Sequence, residues 1–433
     1  MADEKLTVEY KITNPYENVA DLLKKDSCHY KTNLHTHSTY SDAGESMINM
    51  IESFYDYDFD ILAFAEHGIL GKEWDKKPSI IPLYLYQNIV HGKRHYLTTA
   101  DFEKIQNGDY KTKADKRSKN RGMMCVPGAI EANMLTLVKN HVNGYFTDKS
   151  CEGICGKEND YESPVRKIEK SGGLSHINHP TDWLNAIKHP DCTKKPGNVK
   201  KFADIMRKYK SCLGIEVLNM YDIPNFCDRM LWDELLKVII PEGKRSVWGF
   251  GNSDAHEAHQ ADTAFMDFVL PEYSLDNLRT AMEKGTFFPV ARYAIPELGK
   301  GFEGKGPYPV VNGIEVDDEN DIITVSAVNC DKIEWIADGE IIETKTEVDG
   351  ENRVSVIKLR EHAEDISCYV RFQLKGNGGI TMSQPFICDD GNMKRFIKAE
   401  EATKELTFAE KMEKRFYNTR LGVLINRDKT YEV

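Results

Sequence analysis

The stretch "NLHTHSTYSDAGES", residues 33–46, places two histidines and an aspartate within a few positions of each other. Residues two apart on an extended strand point to the same face, so the imidazoles of His35 and His37 can reach one cation. Asp42 follows the turn-prone "STYS" and can return to the same place. Imidazole and carboxylate together suit divalent ions such as Zn, Mn or Fe. Taken alone, the pattern also fits two hydrogen-bonded histidines at a strand end. Residues elsewhere in the chain are needed to distinguish a metal site from this structural role.

Short apolar runs alternate with longer amphipathic segments from about residue 30 to residue 290. The predicted strands lie at 59–67, 122–133, 172–180, 212–219 and 246–256. Between them, "SMINMIESFYDYD", "YESPVRKIEKS", "VKKFADIMRKYK" and "FCDRMLWDELLKVI" have the apolar spacing of helices. Alternation of strand and helix predicts an α/β fold with a parallel sheet, either open or closed into a barrel.

Each predicted strand ends in polar residues that are able to bind a metal or move a proton. These residues are His67, Glu131, His179, Glu216, Asp254 and His256. In parallel α/β folds the chemistry lies beyond the carboxyl ends of the strands. We therefore expect these side chains to meet His35 and His37 in one site.

The alternation of apolar runs and amphipathic segments ends at about residue 295. A Gly- and Pro-rich passage at 296–313 predicts a linker, and short alternating segments with turn residues predict a small antiparallel β-sandwich at 305–390. The stretch 391–433 is rich in Lys and Glu and is predicted to be a short helical tail.

The net charge, the apolar runs and the cysteines of the chain limit the partners and the location that can be expected for it. The 433 residues carry a formal net charge of -12, which disfavours a long nucleic acid as partner. No signal peptide and no run of about 18 apolar residues is present, so we expect a cytoplasmic protein that has no contact with a membrane. The ten scattered cysteines then fit reduced thiols better than disulfides. The oligomeric state is not indicated by the sequence.

Five motifs, "NLHTHSTYSDAG", "AFAEHG", "PGAIEAN", "GGLSHINHP" and "GNSDAH", occur in the order found in the polymerase and histidinol phosphatase (PHP) superfamily. The resemblance covers about residues 30–295, and the "INHP" and "SDAH" versions look most like CehA/McbA-type metallohydrolases. It implies a distorted (β/α)7 TIM-like barrel at 25–295, with a basic insertion at about 70–121. It also implies two or three divalent metal ions (Mn, Zn or Fe) at the carboxyl ends of the strands.

The resemblance assigns metal-binding roles to individual residues of this chain. The implied ligands are His35, His37, Asp42, His67, Glu131, His179, Asp254 and His256. Here "AEH" replaces the family's "TDH", so the residue before His67 is a longer acid. His141 is the natural candidate for the further histidine of three-metal members, although it follows Glu131 by only ten residues.

Other residues are expected to support the ligands. Glu216 fits either a carboxylate that orients a ligating imidazole or one bonded only to backbone. Asn219, Asn252 and Ser253 are weaker candidates for the same role. His176 lies three residues before His179, so on a strand it faces the opposite side, where a core or supporting role is expected.

These assignments predict a metal-dependent phosphoesterase that hydrolyses a small phosphorylated metabolite or nucleotide through a metal-bound hydroxide. His256 or Asp254 would pass a proton to the leaving oxygen. Lys93, Arg94 and Arg292 are candidate substrate-binding cations. Two alternatives stay open: hydrolysis of an ester, amide or carbamate at the same centre, and a non-catalytic regulatory or binding module.

Overall fold

A computed structural model describes residues 9–84, 95–133, 139–154, 159–184, 186–222, 225–243, 245–391 and 393. Within these residues the chain is a mixed α/β protein with three sheets. The predicted helical tail lies outside the described residues apart from 391 and 393. Lys93 and Arg94 also lie outside them.

The strands of the first two thirds of the chain are short. They are β1 Lys11–Thr13, β2 His29–Asn33, β3 Ile61–Leu62, β4 Met124–Cys125, β5 Ile130–Glu131, β6 Val142–Tyr145, β7 Leu174–Ile177, β8 Cys212–Asn219, β9 Trp248–Asn252, β10 Ala264–Val269 and β11 Phe287–Ala291. The later strands are β12 Val310–Asp317, β13 Ile322–Val328, β14 Lys332–Ala337, β15 Glu340–Glu343, β16 Glu347–Asp349, β17 Asn352–Lys358, β18 Tyr369–Gly376, β19 Gly379–Met382 and β20 Phe386–Asp389.

The described α-helices connect the early strands and pack on them. They are α1 Met47–Asp56, α2 Thr99–Asn107, α3 Glu162–Lys170, α4 Pro180–Trp183, α5 Pro196–Lys208, α6 Asp228–Gly243, α7 Leu275–Lys284 and α8 Ile295–Leu298. The helix that follows the opening motif, α1, begins where the hydroxyl of Ser46 accepts the backbone N–H of Asn49. Its buried face includes Met50, Ile51 and Phe54, as the apolar spacing predicts. The four predicted helices are confirmed as α1, α3, α5 and α6.

The sheets are mixed rather than purely parallel. Strands β2, β3 and β4 pair in parallel, and so do β7, β8 and β9. Strand β6 pairs antiparallel with both β5 and β7, and β10 pairs antiparallel with β2 and β11. The prediction of one strand at 122–133 was wrong, because β4 and β5 form there in different sheets. The connection from β5 to β6 is too short for the crossover that parallel pairing requires.

Two isolated parallel bridges join the sheets at their carboxyl ends. Thr36, beyond β2, pairs with Ala255, beyond β9, and His67, beyond β3, pairs with Glu131 in β5. Both bridges lie inside the predicted site, so the backbone itself brings the motifs together.

The last third of the chain is sandwich-like. One layer is the sheet β12-β13-β17-β16, and the other contains β14, β15, β18, β19 and β20. The two layers pack through buried side chains such as Val325 and Ile357 on one side and Trp335 and Phe372 on the other. Strand β19 also pairs with β11, so the second layer is continuous with the sheet that contains β10 and β2.

The nine described cysteines are all buried, and none of them forms a disulfide with another described cysteine. Among the described residues, no helix has both the length and the apolar character needed to span a membrane.

A buried ion pair at the start of β2 predicts a pH-dependent contribution to stability. His29 is 7% exposed, with its Nδ1 2.7 Å from Asp267 Oδ2 and its Nε2 3.0 Å from the Leu23 carbonyl oxygen. Burial opposes the charge, but Asp267 outweighs it and raises the pKa of His29 from 6.5 to about 9. The raised pKa means that this stabilisation is complete below pH 6.5 and is lost as the pH rises through 9.

We therefore expect the stability difference between the wild type and His29→Gln to shrink by roughly 3 kcal/mol between pH 6 and pH 9.5. Urea denaturation of both proteins across this range measures the difference, and all shared titrations cancel in it. A difference that does not change with pH would show that folding does not raise the pKa of His29.

Candidate metal centre

Nine predicted ligands meet at the carboxyl ends of β2, β3, β5, β7 and β9. They are His35, His37, Asp42, His67, Glu131, His141, His179, Asp254 and His256. Backbone hydrogen bonds hold the segments in place: the Asp254 N–H donates to the His35 carbonyl, and the His37 N–H donates to the Ala255 carbonyl. The Glu131 N–H likewise donates to the Glu66 carbonyl, which places His67 beside Glu131.

Three groups of side chains have ligand atoms within 4.8 Å of one another. The first is His37, Asp42, His67 and His256, the second is His35, His37 and Asp254, and the third is His67, Glu131 and His141. His37 and His67 each belong to two groups, so the groups form one continuous cluster. His179 adjoins it, with Nε2 3.8 Å from Glu131 Oε1 and 3.9 Å from Asp254 Oδ2.

Neighbouring groups orient His35 and His37 so that Nε2 faces the cluster. Nδ1 of His35 lies 2.8 Å from Glu216 Oε1, and Nδ1 of His37 lies 3.3 Å from the Ser41 hydroxyl. Nε2 of His35 is then 3.3 Å from Asp254 Oδ1, and Nε2 of His37 is 3.1 Å from the same atom. A histidine whose Nδ1 is bonded in this way presents a fixed Nε2 lone pair to a metal.

Backbone carbonyls orient His67 and His256 in the same way. Nδ1 of His67 donates to the Asn133 carbonyl at 3.0 Å, and Nδ1 of His256 donates to the Asp254 carbonyl at 2.8 Å. Their Nε2 atoms both lie 3.4 Å from a carboxylate oxygen of Asp42. Asp42 thus supplies the carboxylate oxygens that lie nearest to both imidazoles, and its role as a metal ligand stays a prediction.

Charge in the metal-free cluster is carried by histidines that surround the carboxylates. Burial would raise the pKa of Glu131, but the charges of His141, His67 and His35 hold it well below its usual range. Burial likewise opposes charge on His37, yet the nearby carboxylates of Asp254 and Glu131 raise its pKa to about 10. A divalent cation would displace these imidazole protons, so occupancy of the centre should fall at low pH.

The donor atoms fit divalent cations. Four buried atoms at the centre of the cluster make no hydrogen bond with a described residue: Nε2 of His35, His37 and His141, and Oε2 of Glu131. Buried polar atoms are rarely left without partners, and such exceptions mark ions or function. Imidazole nitrogens with carboxylate oxygens and no thiolate are the donors of catalytic Zn, Mn or Fe sites rather than of a structural zinc.

Two candidate ligands have unusual backbone conformations. The φ angle is 25° at His179 and 47° at Asp254, in or near the left-handed region that non-glycine residues seldom occupy. Such conformations persist where the surrounding structure holds them and are concentrated at functional sites. His179 follows the end of β7 by two residues, and Asp254 follows the end of β9 by two residues, so the chain turns at both positions as it leaves a parallel strand.

Two residues next to ligands were not given a role by the sequence analysis. Glu66, which precedes His67, is buried and accepts hydrogen bonds from the hydroxyls of Ser38 and Ser41. Because Ser41 also contacts His37 Nδ1, Glu66 supports that ligand through one intervening hydroxyl. Asn178, which precedes His179, donates to Glu131 Oε1 at 2.7 Å. In the sequence, the sign of these supporting roles was that each is a polar residue directly before a candidate ligand, Glu66 before His67 and Asn178 before His179.

Glu216 is fully buried, and its position distinguishes the two roles that its sequence left open. Oε1 of Glu216 contacts His35 Nδ1 and accepts a hydrogen bond from the Asn252 side-chain amide at 3.0 Å, and Oε2 accepts one from the Asn219 side-chain amide at 3.0 Å.

Glu216→Gln should therefore weaken metal binding by about 10- to 100-fold without unfolding the chain. Titration with a metal chelator measures the loss. Glu169→Gln is the matched control. The carboxylate of Glu169 accepts a hydrogen bond from the Ser211 hydroxyl, and its replacement should leave metal affinity unchanged.

His176 points away from the cluster. Its Nε2 is 2.9 Å from the Tyr145 hydroxyl, and its ring stacks on Phe250 with centroids 4.4 Å apart. Burial, the largest effect, lowers its pKa to about 4, so this imidazole is neutral. These contacts agree with the core or supporting role expected for it.

Arg292 and two cations of the basic insertion are engaged in contacts outside the cluster. Arg292 contacts Asp262 and donates to the carbonyls of Gly306 and Gly378. In the basic insertion, Lys119 and Arg121 pair with Asp60, which lies just before β3 and hence at the end of that strand remote from the cluster. The substrate-binding role of Arg292 stays a prediction, as does that of Lys93 and Arg94.

The fold and the cluster define a mixed α/β protein with a candidate multinuclear metal centre. No family model matches the sequence, and no curated protein matches it. Among solved structures, the chain is similar to a two-domain protein containing a predicted PHP-like metal-dependent phosphoesterase from Bacteroides vulgatus ATCC 8482. The identity is 15% and the TM-score 0.38, over 82% of this chain and 95% of that one.

Two further similar structures are of Endonuclease Q. One is the lesion-specific endonuclease from Pyrococcus furiosus, with 15% identity and a TM-score of 0.33 over 59% of this chain and 56% of that one. The other is a complex with a 27-mer duplex carrying an abasic lesion, with 14% identity and the same TM-score and coverage. The first similar structure bears the PHP name that the motifs suggested, and none of the three descriptions mentions the CehA/McbA type.

Proposed function

We propose that this protein is a metal-dependent phosphoesterase that hydrolyses a small phosphorylated metabolite or nucleotide. The observation that carries the proposal is that three ligand groups form one cluster, in which the two oxygens of Glu131 face histidines of different groups. A carboxylate between adjacent groups would hold cations close together, and closely spaced cations are the arrangement that stabilises both the attacking and the leaving oxygen of an in-line displacement.

We assign three cation positions from the donor atoms. His67, His256 and Asp42 would hold one ion, and His35, His37 and Asp254 a second. His141 and His179, with Glu131 between them, would hold a third. Glu131 would bridge, because its two oxygens face histidines of different groups. When bound, the ions supply Lewis acidity for activating water and for polarising the phosphoryl group.

The residues of the chain define where substrate would bind. The cluster opens to solvent at His256 and Asp42, whose side chains are 28% and 18% exposed, while His35 and His37 are fully buried. His256 Nδ1 is bonded to the Asp254 carbonyl, so Nε2 is the atom that would hold the cation. A nitrogen bound to a metal carries no proton, so the leaving oxygen would take its proton from water at this open end of the site. The buried histidines behind it would exclude bulk water from the reacting centre.

The strand arrangement supports the distorted barrel that the resemblance implies. The Thr36–Ala255 bridge links β2 to β9, and the His67–Glu131 bridge links the end of β3 to β5. With the pairs from β5 through β9, these bridges connect the strands of the site into a ring. We propose this ring as the metallohydrolase unit, within 25–295, and a cytoplasmic location for the protein.

Metal content and a substrate panel test the function. Protein supplemented with Mn or Zn should retain two or three ions per chain and hydrolyse an aryl phosphate or a nucleotide faster than an aryl ester. Preference for the ester would favour the alternative hydrolase, and preference for an abasic DNA duplex would overturn the expectation of a small substrate. Metal-loaded protein that is inert on every member of the panel would favour a binding module. Protein that retains no metal would refute the proposal.

A further inference from the structure

A cavity of about 640 Å³ lies at the opposite ends of the strands that carry the metal centre. It is lined by residues that begin β7, β8 and β9, including Leu174, Leu213 and Trp248. The eight residues of β8 separate it from Asn219 by roughly 23 Å, so it is not part of the metal centre. We call it the basal cavity.

The basal cavity is rich in cationic side chains. Lys208, Lys210, Arg245 and Arg279 line it, against the two carboxylates of Glu169 and Glu283. In a chain with a net charge of -12, this local excess of positive charge is unusual. Glu283 pairs with Arg279 at 3.2 Å, and Lys208 pairs with Glu162 outside the cavity.

Arg245 is held in the cavity wall by backbone. Its guanidinium donates to the carbonyl oxygens of Met206, Lys210 and Cys212. Among the described residues, no carboxylate forms an ion pair with Arg245 or with Lys210. A guanidinium that donates to carbonyl oxygens keeps its full charge. The cavity wall therefore presents two cations, the fixed guanidinium of Arg245 and the ammonium of Lys210 on its flexible side chain.

Ser246 supplies an independent sign of a ligand. It lines the cavity and is 7% exposed, and its hydroxyl makes no hydrogen bond with a described residue. A buried hydroxyl without a partner costs free energy, which a bound acceptor would recover. Trp248 forms a neighbouring part of the wall, fixed by its indole N–H donating to the Glu283 carbonyl at 3.2 Å.

We propose that the basal cavity binds a small phosphorylated molecule, with its phosphate at Arg245, Lys210 and the Ser246 hydroxyl. A phosphate carries close to two negative charges and three acceptor oxygens, which matches two unpaired cations and one unpaired hydroxyl. A carboxylate would offer one charge and two oxygens. The indole of Trp248 gives the remainder of the molecule an apolar wall.

Calorimetric titration of the full chain with inorganic phosphate tests this site. We expect saturable binding with a Kd below about 1 mM. Lys210→Glu and Ser246→Val should each weaken it by at least about tenfold, the loss expected for a charge-assisted hydrogen bond. Lys24→Glu, the same charge reversal at an exposed residue that does not line the cavity, should leave the affinity unchanged.

The measurement is independent of the metal centre. Phosphate that binds at the centre is unaffected by variants at the other end of β8, and metal content should be the same in all of these proteins. Lys210 is exposed, so its variant is expected to fold even where a buried change at Ser246 does not. Absence of saturable binding, equal affinity in Lys210→Glu, or equal binding of succinate would each overturn the proposal.

Discussion

Glu131→Gln is expected to empty most of the metal centre and to lower kcat/KM by at least roughly a thousandfold, the loss of several kcal/mol of transition-state stabilisation. Glu131 contacts four histidines of the cluster at 3.0–3.5 Å: His35, His37, His67 and His141. The amide keeps the shape of the side chain but removes its charge, so cations near each other lose the anion that screens their repulsion. Metal analysis should find at most one ion per chain.

Glu334→Gln is the matched control for this variant. Glu334 is as deeply buried, at 2% exposure, but it pairs with Lys332 and Lys375 in the sheet of the last third of the chain. It should cost stability and leave the metal content and kcat/KM unchanged. Full metal content and activity in Glu131→Gln would show that Glu131 is not a bridging ligand.

The convergence of most candidate ligands was predictable from the sequence because they belong to local patterns. An apolar run that ends in polar residues indicates a strand that emerges from the core, and His67, Glu131 and His179 all occur at such points. Parallel strands in one fold then place those ends together. His141 is an exception to this rule, since it directly precedes β6. The antiparallel pairing of β6 with β5 brings the amino end of β6 to the site, where His141 lies 3.0 Å from Glu131.

Strand pairing was less predictable, since it depends on partners far away in the chain. Nothing in the local pattern of β6 indicates antiparallel pairing, and β10 and β11 were not predicted as strands that extend the sheet containing β2. The pairing of β11 with β19 joins segments about 90 residues apart. Supporting residues such as Asn178 were missed for the same reason, because their partners are fixed only by the fold.

The buried network at Arg229 shows how the fold holds the end of β8 that supports the centre. All five N–H donors of Arg229 are used: they bond both oxygens of Asp222, both oxygens of Glu297 and the Val217 carbonyl, at 2.6–2.9 Å. Val217 adjoins Glu216, which contacts His35, and Asp222 also accepts the backbone N–H of Ile295. The network therefore ties α6 and α8 to the strand that orients a predicted ligand.

Arg229→Met should lower the free energy of unfolding by about 3–5 kcal/mol, since it leaves the buried carboxylate of Asp222 and the partly buried carboxylate of Glu297 without their cation. Urea denaturation measures the loss. Arg207→Met is the matched control: Arg207 also pairs with a glutamate, Glu242, but it lies at the surface with 32% of its side chain exposed. Its loss should stay below about 1 kcal/mol.

A further variant separates the two causes of instability. Adding Asp222→Asn and Glu297→Gln to Arg229→Met removes the stranded charges, so part of the lost stability should return. Metal affinity should stay reduced in the triple variant, because Val217 and the end of β8 remain without their anchor. Recovery of stability together with full metal affinity would mean that the network stabilises the fold without positioning Glu216.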